Sequence, residues 1–303
     1  MDSKDIRLVY IMSPSYSGST LLTTLLAQQT RIATVGELKA NKLPDIATYT
    51  CSCGSRILEC DFWNRLIRQV RDQGSELDLA DFATRFRSEQ PLLDRVLRPN
   101  VKAFPLETLR HLLLLAVPPF RKRFFQIMSQ NHQIVSAACK LYETDTFLDG
   151  SKDPLRALFF HRYTNYDLRV IYLTRDGRGT LNSDKKYNGL STREAAISWK
   201  RKIEEMDRVA RLLPEKQLYR LRYESFCEAP EEKLRELMDF AGLRTRETPL
   251  GASDLHILGN NNMRLVKTSE IRLDEKWKQN LSKEDLSEFQ VLAGDTNARL
   301  GYA

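Results

Sequence analysis

The sequence lacks a long apolar run, although 42% of its 303 residues are hydrophobic. The longest apolar stretch, 111–119, ends in two prolines and is too short to cross a bilayer. The first residues carry charges of both signs and have no apolar middle, unlike a signal peptide. We therefore expect a cytoplasmic protein without a transmembrane segment.

Clustered basic tracts are also missing. The chain has 47 basic and 40 acidic residues, a net charge of +7, and the basic residues are dispersed. A positive excess favours an anionic ligand, a nucleic acid or an acidic surface, but dispersed charge is not typical of a nucleic-acid-binding arm. The cysteines are few and odd in number, at five, so a disulfide framework is not expected.

Short apolar runs followed by helical patterns recur along the chain. Residues 7–12 precede a helical pattern over 19–27, and 168–173 form a near-continuous apolar run, typical of a strand buried on both faces of a parallel sheet. Two similar units are 147–149 before a helix start at Asp153-Pro154, and 217–221 before a helix at 230–240. This alternation predicts an α/β fold, a three-layer sandwich with a mostly parallel central sheet.

The alternation fades between residues 40 and 145, where the patterns are helical, as at 79–86 and 106–128. We interpret 1–303 as a single domain in which 40–145 form a helical insertion or lid over the sheet. Residues 251–272 have weak periodicity and predict a loop, and 281–300 predict a final helix.

Residues 14–20 lie where a strand meets a helix, so that backbone N–H groups and the positive end of the helix dipole converge. Gly18 permits close approach of a ligand, while Ser17, Ser19 and Thr20 offer hydroxyl donors. Such a loop binds phosphate or sulfate; the alternative is an ordinary turn with Ser/Thr capping. The Gly-x4-Gly-Lys-Ser/Thr motif of nucleoside triphosphatases is absent, which disfavours a kinase.

This loop resembles the 5′-phosphosulfate loop of sulfotransferases that use 3′-phosphoadenosine 5′-phosphosulfate (PAPS), with Tyr16 standing where many members have Lys or Arg. Residues 168–183 resemble the 3′-phosphate motif of the same family, with Arg175 at a strand end and Ser183 eight positions later. An arginine there lies in the ligand crevice, and Arg178 can reinforce it. The alternative is a surface ion pair between Arg175 and Asp176.

The resemblance extends to a Tyr-Glu segment at Tyr223, implied to lie near the adenine, and to a C-terminal loop in which Arg264 is a candidate phosphate ligand. A core position for Tyr223 and a mobile surface loop around Arg264 are the alternatives. The residues that the resemblance implies for co-substrate binding are Tyr16, Ser17, Gly18, Ser19, Thr20, Arg175, Ser183, Tyr223 and Arg264.

The resemblance to bacterial sulfotransferases implies a P-loop-like fold and in-line transfer of a sulfuryl group from PAPS to a hydroxyl, releasing adenosine 3′,5′-bisphosphate (PAP). It implies no metal for the reaction and no nucleic-acid partner. The acceptor can be a small molecule, a lipid, a sugar or a peptidyl tyrosine. The competing interpretations are a nucleotide or nucleoside kinase and a non-enzymatic anion-binding module.

Sulfuryl transfer needs a base for the acceptor hydroxyl and cations near the leaving oxygens. Glu37 follows a strand-like segment that returns it to the mouth of the phosphate loop, and it resembles the catalytic glutamate of tyrosylprotein sulfotransferases. Lys152, in a segment resembling the Ser-Lys-x-Pro motif of bacterial sulfotransferases, is expected to replace the cation missing at Tyr16. Alternatively, Lys152 points to water. The four histidines are alternative bases: His111, His132, His161 and His256.

Three cysteines, Cys51, Cys53 and Cys60, lie close together in the sequence. Three thiols are one ligand short of a closed zinc site, although a histidine or water can complete one. We interpret them first as packing residues or a redox-sensitive clip and second as a zinc site, and assign no metal ligand.

Overall fold

The computed structural model describes residues 5–39, 45–98, 100–259 and 271–302. Five strands form its sheet: β1 (Arg7–Met12), β2 (Ala33–Thr34), β3 (Thr146–Lys152), β4 (Asp167–Thr174) and β5 (Leu218–Arg222). Their order is β2-β3-β1-β4-β5, and every neighbouring pair is parallel. The predicted α/β fold with a mostly parallel sheet is therefore confirmed.

The central strand, β1, pairs with β3 on one side and β4 on the other. All strands point the same way, so their carboxyl ends lie along one edge. The chain passes from β1 towards β2 on one side, and from β4 towards β5 on the other. Ligands bind open α/β sheets at this kind of switch point, where successive loops diverge and leave a crevice.

Twelve helices are described. They are α1 (Ser19–Gln29), α2 (Asp61–Arg71), α3 (Pro91–Leu97), α4 (Phe104–Ala116), α5 (Pro118–Leu141), α6 (Pro154–Tyr163), α7 (Gly177–Asn188), α8 (Thr192–Ala210), α9 (Tyr223–Glu228), α10 (Pro230–Ala241), α11 (Trp277–Asn280) and α12 (Lys283–Arg299). Among the described residues, none of these helices combines the length and apolar character required to span a membrane.

Alternate side chains of β1 enter two separate cores. Val9 and Ile11 pack with α1, α9 and α10 on one face of the sheet. Leu8, Tyr10 and Met12 pack on the other face with the larger group of helices that includes α5, α6 and α8. The sheet is thus the middle layer of three, which explains the near-continuous apolar runs of β1 and of most of β4.

The segment between β2 and β3 contains α2, α3, α4 and α5, but two helix predictions there are wrong in detail. Residues 79–86 are not helical: the side chains of Asp78 and Asp81 accept hydrogen bonds from the backbone N–H groups two residues further on, which competes with a helix. The pattern over 106–128 is split at Val117, because Pro118 begins a new helix.

A buried ion pair connects the sheet to this segment. Arg156 donates from Nε to Asp149 Oδ2 over 2.9 Å, and both side chains are about 99% or more buried. Its remaining nitrogens donate to the Thr84 carbonyl and to the Asn131 side chain. Asp149 also accepts from the backbone N–H of Leu38 over 3.2 Å, so this pair orders the chain directly after Glu37.

We predict that Arg156→Met lowers the free energy of unfolding by about 3–5 kcal/mol, because it leaves the Asp149 carboxylate buried without its cation. Urea denaturation with an unchanged m-value measures this loss. The matched control is Arg98→Ala. Arg98 pairs with Asp94 but its side chain is 59% exposed, so this substitution should lower the free energy of unfolding by less than about 1 kcal/mol. Equal losses in the two variants would contradict the prediction.

Candidate active site

The loop after β1 presents the N-terminus of α1 at the carboxyl edge of the sheet. Gly18 occupies the N-cap position with φ +83°, and the first turn of α1 contains no acidic residue. The first N–H groups of a helix have no intrahelical acceptor, so they attract an anion. The Ser13 and Ser17 hydroxyls are buried and have no hydrogen-bond partner among the described residues.

Tyr16 has a left-handed backbone, with φ +57°, directly before this turn. Its ring stacks on Tyr187 with centroids 5.8 Å apart, and its hydroxyl donates to Asn188 over 3.2 Å. Both contacts lie at the C-terminal end of α7. The Tyr16 side chain therefore packs on α7. It does not supply the positive charge that a lysine or arginine has at this position in many members of the family.

Arg175 joins the loop after β1 to the loop after β4. Its Nη1 donates to the Tyr16 carbonyl over 2.8 Å, and its guanidinium lies 4.7 Å from the ring centroid of Tyr223. Nη2 also donates to the Asp274 backbone carbonyl over 2.7 Å and pairs with its carboxylate at 3.1 Å. Arg175 is thus a buried cation, 6% exposed, whose charge is shared with one acidic residue.

The alternative interpretation of Arg175, a surface ion pair with Asp176, is wrong. Asp176 instead caps α7 and pairs with Arg178 at 2.7 Å. Arg178 also lies over the ring of Trp277, 4.2 Å from its centroid.

Tyr223 lies between Gly18 and Arg175. A Cβ atom added at Gly18 would be 2.6 Å from Tyr223 Cδ2, so the ring contacts the glycine backbone. The Tyr223 hydroxyl donates to the Arg272 carbonyl over 3.2 Å, and burial raises its pKa above the ordinary value. The tyrosine therefore remains a neutral donor at physiological pH, and only a glycine fits beside its ring.

Ser183 is buried in α7 and its hydroxyl donates to the Gly179 carbonyl over 3.1 Å. Gly179 contacts the arginine as well: a Cβ there would be 2.9 Å from Arg175 Nε. Ser183 and Arg175 thus both contact the same glycine. Arg264 lies outside the described residues.

Glu37 and Lys152 form an ion pair at the carboxyl edge, with about a fifth to a quarter of each side chain exposed. Lys152 ends β3 with a left-handed backbone, φ +68°, which is uncommon for a residue with a side chain. Backbone strain of this kind is concentrated at functional sites. The pair lines a cavity of about 230 Å³.

The cavity is rich in positive charge. Its charged lining comprises the cations Lys39, Arg85, Lys152 and Lys202 and the carboxylates of Glu37 and Asp153. Ser13, Ser15 and Ser151 complete it, so the phosphate-loop side of the site also opens into this space. A site with this balance of charge favours an anionic group.

None of the four histidines, all within the described residues, lines this cavity. His111 is 2.6 Å from the Tyr163 hydroxyl and His132 is 2.9 Å from the Tyr166 hydroxyl. Burial lowers the pKa of both His161 and His256. Since Glu37 lines the cavity and no histidine does, Glu37 is the better candidate for the base.

A profile of the sulfotransferase family matches residues 9–247, which include the loops after β1 and β4. The chain belongs to the sulfotransferase family. Family membership supports a sulfotransferase activity. No curated protein matches the sequence in a direct search.

Three solved structures are similar to this sulfotransferase at low identity, and the first of them, with a TM-score above 0.5, shares its fold. The sulfotransferase domain from the curacin biosynthetic pathway is 18% identical, with 98% of each chain covered and a TM-score of 0.53. The sulfotransferase domain of the Synechococcus PCC 7002 olefin synthase is 15% identical, covering 100% of this chain and 97% of that one, with a TM-score of 0.45. Sulfotransferase STF1 from Mycobacterium tuberculosis H37Rv is 14% identical, covering 82% and 70%, with a TM-score of 0.44.

The sequence alone did not single out several residues of this candidate site. Lys39 follows Glu37 by two positions, a spacing that could have signalled it. Arg85 lies in a segment predicted to be helical, and Lys202 belongs to no motif. Asp274 begins a segment, 274–277, that resembles the C-terminal loop and helix of the family, but the resemblance implies no role for it. These side chains reach the site through the tertiary fold.

The contact between Gly18 and Tyr223 generates a stability prediction. Gly18→Ala places a methyl group on a residue with positive φ and against the Tyr223 ring. Beyond the strain of the left-handed backbone, the clash with the ring should lower the free energy of unfolding by about 1–3 kcal/mol. Gly189→Ala is the matched control, since its φ is +65° and no described atom lies within 4 Å of the added Cβ. Urea denaturation measures both losses.

A double-mutant cycle isolates the contact. In a Tyr223→Ala background, the cost of Gly18→Ala should fall to that of Gly189→Ala. If Gly18→Ala lowers the free energy of unfolding equally in the presence and absence of the Tyr223 ring, the ring is not the reason for glycine at position 18.

Proposed function

We propose that the protein transfers a sulfuryl group from PAPS to an acceptor hydroxyl and releases PAP. The observation that carries this proposal is the convergence of the two loops: Arg175 donates to the Tyr16 carbonyl and lies over Tyr223, which contacts Gly18. One phosphorylated nucleotide can contact both loops at once.

The residues present fit such a nucleotide. The α1 N-terminus, with the buried Ser13 and Ser17 hydroxyls, suits the 5′-phosphosulfate. Arg175 and Ser183, which both contact Gly179, suit the 3′-phosphate, because a dianion needs charge-assisted donors. Ser19 and Thr20 extend the first site. The Tyr223 ring is buried between Gly18 and Arg175, so its role near the adenine is to hold these two groups in place.

Arg175 is paired with Asp274. The 3′-phosphate must therefore displace the Asp274 carboxylate from the guanidinium or share the guanidinium with it. Asp274 lies in a segment over the Tyr223 hydroxyl, which donates to the carbonyl of Arg272. Nucleotide binding is therefore coupled to a local rearrangement of residues 272–274. Asp274 thus opposes binding of the 3′-phosphate electrostatically.

The chemistry follows from the placement of Glu37 and Lys152. Glu37 accepts the proton of the acceptor hydroxyl, whose oxygen forms a bond to sulfur as the sulfur–oxygen bond to the 5′-phosphate breaks. The leaving phosphate gains negative charge, which Lys152 and the N–H groups at the start of α1 stabilise. The proton on Glu37 is released to solvent after the acceptor leaves.

We propose that residues 40–145 are the insertion that covers the acceptor within the single domain. Arg85, from this segment, lines the cavity and donates to the Lys39 carbonyl over 3.2 Å. Thr84 donates to the Leu38 carbonyl over 2.6 Å. These contacts support an acceptor site bounded by the insertion and the Glu37 segment, open to hydroxyls of small molecules, lipids, sugars or peptidyl tyrosine.

Calorimetric titration with PAP tests the nucleotide assignment. The protein should bind PAP without magnesium and more tightly than ATP with magnesium, because Arg175 and Ser183 recognise a 3′-phosphate. Arg175→Ala should weaken PAP binding by about 2–4 kcal/mol, since it removes a buried charged contact. Asp274→Asn should tighten it roughly two- to fivefold by removing a competing charge.

Arg169→Ala is the control, because Arg169 lies on the same strand and pairs with Asp167. The affinity of the Arg169→Ala variant for PAP should equal that of the unmodified protein. Tighter binding of magnesium-ATP, or unchanged PAP affinity in folded Arg175→Ala, would contradict the assignment. Steep salt-dependent DNA binding with weak PAP binding would instead favour a non-enzymatic module.

Glu37→Gln tests the base. The substitution keeps the shape of the side chain and removes its basicity, so turnover should fall roughly 10²-fold with PAP affinity nearly retained. Transfer of ³⁵S from labelled PAPS to the most active hydroxyl of a panel of phenols, sterols and sugars measures turnover. The control is Glu215→Gln, an exposed glutamate before β5. Turnover within a few-fold of the unmodified enzyme would remove Glu37 as the base.

A further inference from the structure

A cysteine cluster lies apart from the residues proposed for sulfuryl transfer. The segment Cys51-Ser-Cys-Gly54 forms a tight turn in which the Gly54 N–H donates to the Cys51 carbonyl over 2.9 Å. Gly54 has φ +97°, the left-handed backbone that such a turn requires. A short helical turn at Ile57–Glu59 then brings Cys60 back to the same place.

The fold supplies the fourth group that the sequence spacing lacked. His256 is 196 residues from Cys60 in the chain, yet its Nδ1 lies 3.3 Å from Cys60 Sγ. It also lies 3.7 Å from Cys51 Sγ. The potential ligand atoms of Cys51, Cys53, Cys60 and His256 all lie within 4.8 Å of one another.

These distances fit a tetrahedral ion. With zinc–sulfur bonds of about 2.3 Å and a zinc–nitrogen bond of about 2.0 Å, tetrahedral geometry places two sulfurs about 3.8 Å apart and sulfur and nitrogen about 3.5 Å apart. Cys53 Sγ and Cys60 Sγ are separated by 3.7 Å, and both sulfur–nitrogen distances above agree with the second value to a few tenths of an ångström.

The surroundings are those of a closed structural site. Trp63 Nε1 donates to Cys51 Sγ over 3.3 Å, and the ring of Phe62 stacks on the His256 imidazole at 4.5 Å with an interplanar angle of 3°. Hydrogen bonds to ligand sulfur and a fixed imidazole plane orient metal ligands. Four protein ligands leave no position for a substrate, in contrast to a catalytic zinc site.

We propose that Cys51, Cys53, Cys60 and His256 bind one structural zinc ion. The ion would cross-link the cysteine turn to the segment at 255–258, which the Ser52 hydroxyl already joins by donating to the Leu255 carbonyl over 2.6 Å. That segment pairs with the residues before Glu37: the Leu258 N–H donates to the Val35 carbonyl over 2.8 Å. Zinc therefore connects the insertion to the chain bearing Glu37. This inference goes beyond the proposed function, and metal content is measured without any assay of sulfuryl transfer.

Elemental analysis of the purified, untagged protein tests the site. We expect about one zinc per chain, and loss of most of it in Cys60→Ser. Cys227→Ser is the matched control, because Cys227 lies outside the cluster, and it should retain the metal. Zinc below about one tenth per folded chain, or full zinc content in Cys60→Ser, would overturn the proposal.

Two measurements keep the test decisive if Cys60→Ser does not fold. Replacing zinc by Co²⁺ in the unmodified chain should give the intense visible bands and thiolate charge-transfer absorption of a tetrahedral site. An octahedral spectrum would contradict the assignment. So would protein that is purified without metal and has a mass two daltons lower because of a Cys53–Cys60 disulfide.

Removal of the metal by a chelator should lower Tm by roughly 5 °C or more. It should also accelerate hydrogen exchange at 35–38 and 255–258, and leave exchange in β4 unchanged. An unchanged Tm and unchanged exchange after complete removal would show that the ion does not support this part of the fold.

Discussion

The parallel pairing of β1 with β4 is the constraint on which the site depends. Because Met12 is in register with Tyr172, the loops that follow the two strands leave the sheet side by side. Arg175 can then donate to the carbonyl of Tyr16, 159 residues earlier in the chain. An antiparallel or displaced β4 would place Arg175 elsewhere, and neither loop alone contacts both ends of a nucleotide.

Electrostatics explains why this arrangement suits a doubly anionic ligand. The α1 N-terminus has no acidic side chain in its first turn, and the adjoining cavity has four cationic side chains against two carboxylates. Buried charge is costly unless it is paired, and the protein satisfies this requirement internally: Arg175 pairs with Asp274, and Lys152 with Glu37. We propose that ligand binding exchanges these internal partners for phosphate and sulfate oxygens.

The sequence predicted the centre of the sheet well because β1 and most of β4 are near-continuous apolar runs, and β1 begins and ends where the pattern does, at Arg7 and Met12. It failed at 79–86, where the Asp78 and Asp81 side chains compete for backbone N–H groups. Local patterns indicated the two loops and Glu37. They did not indicate Asp274 or the approach of His256 to the cysteines, because these contacts are made by distant segments.

A crystal structure with bound PAP would show whether the loops after β1 and β4 hold one nucleotide with its 5′ end towards Glu37. We expect the 3′-phosphate within hydrogen-bonding distance of Arg175 and Ser183. We expect the 5′-phosphate on the N–H groups at Ser17–Thr20, with its free oxygens facing the Glu37–Lys152 pair. A 3′-phosphate on the α1 N-terminus, or a nucleotide bound away from both loops, would contradict this arrangement.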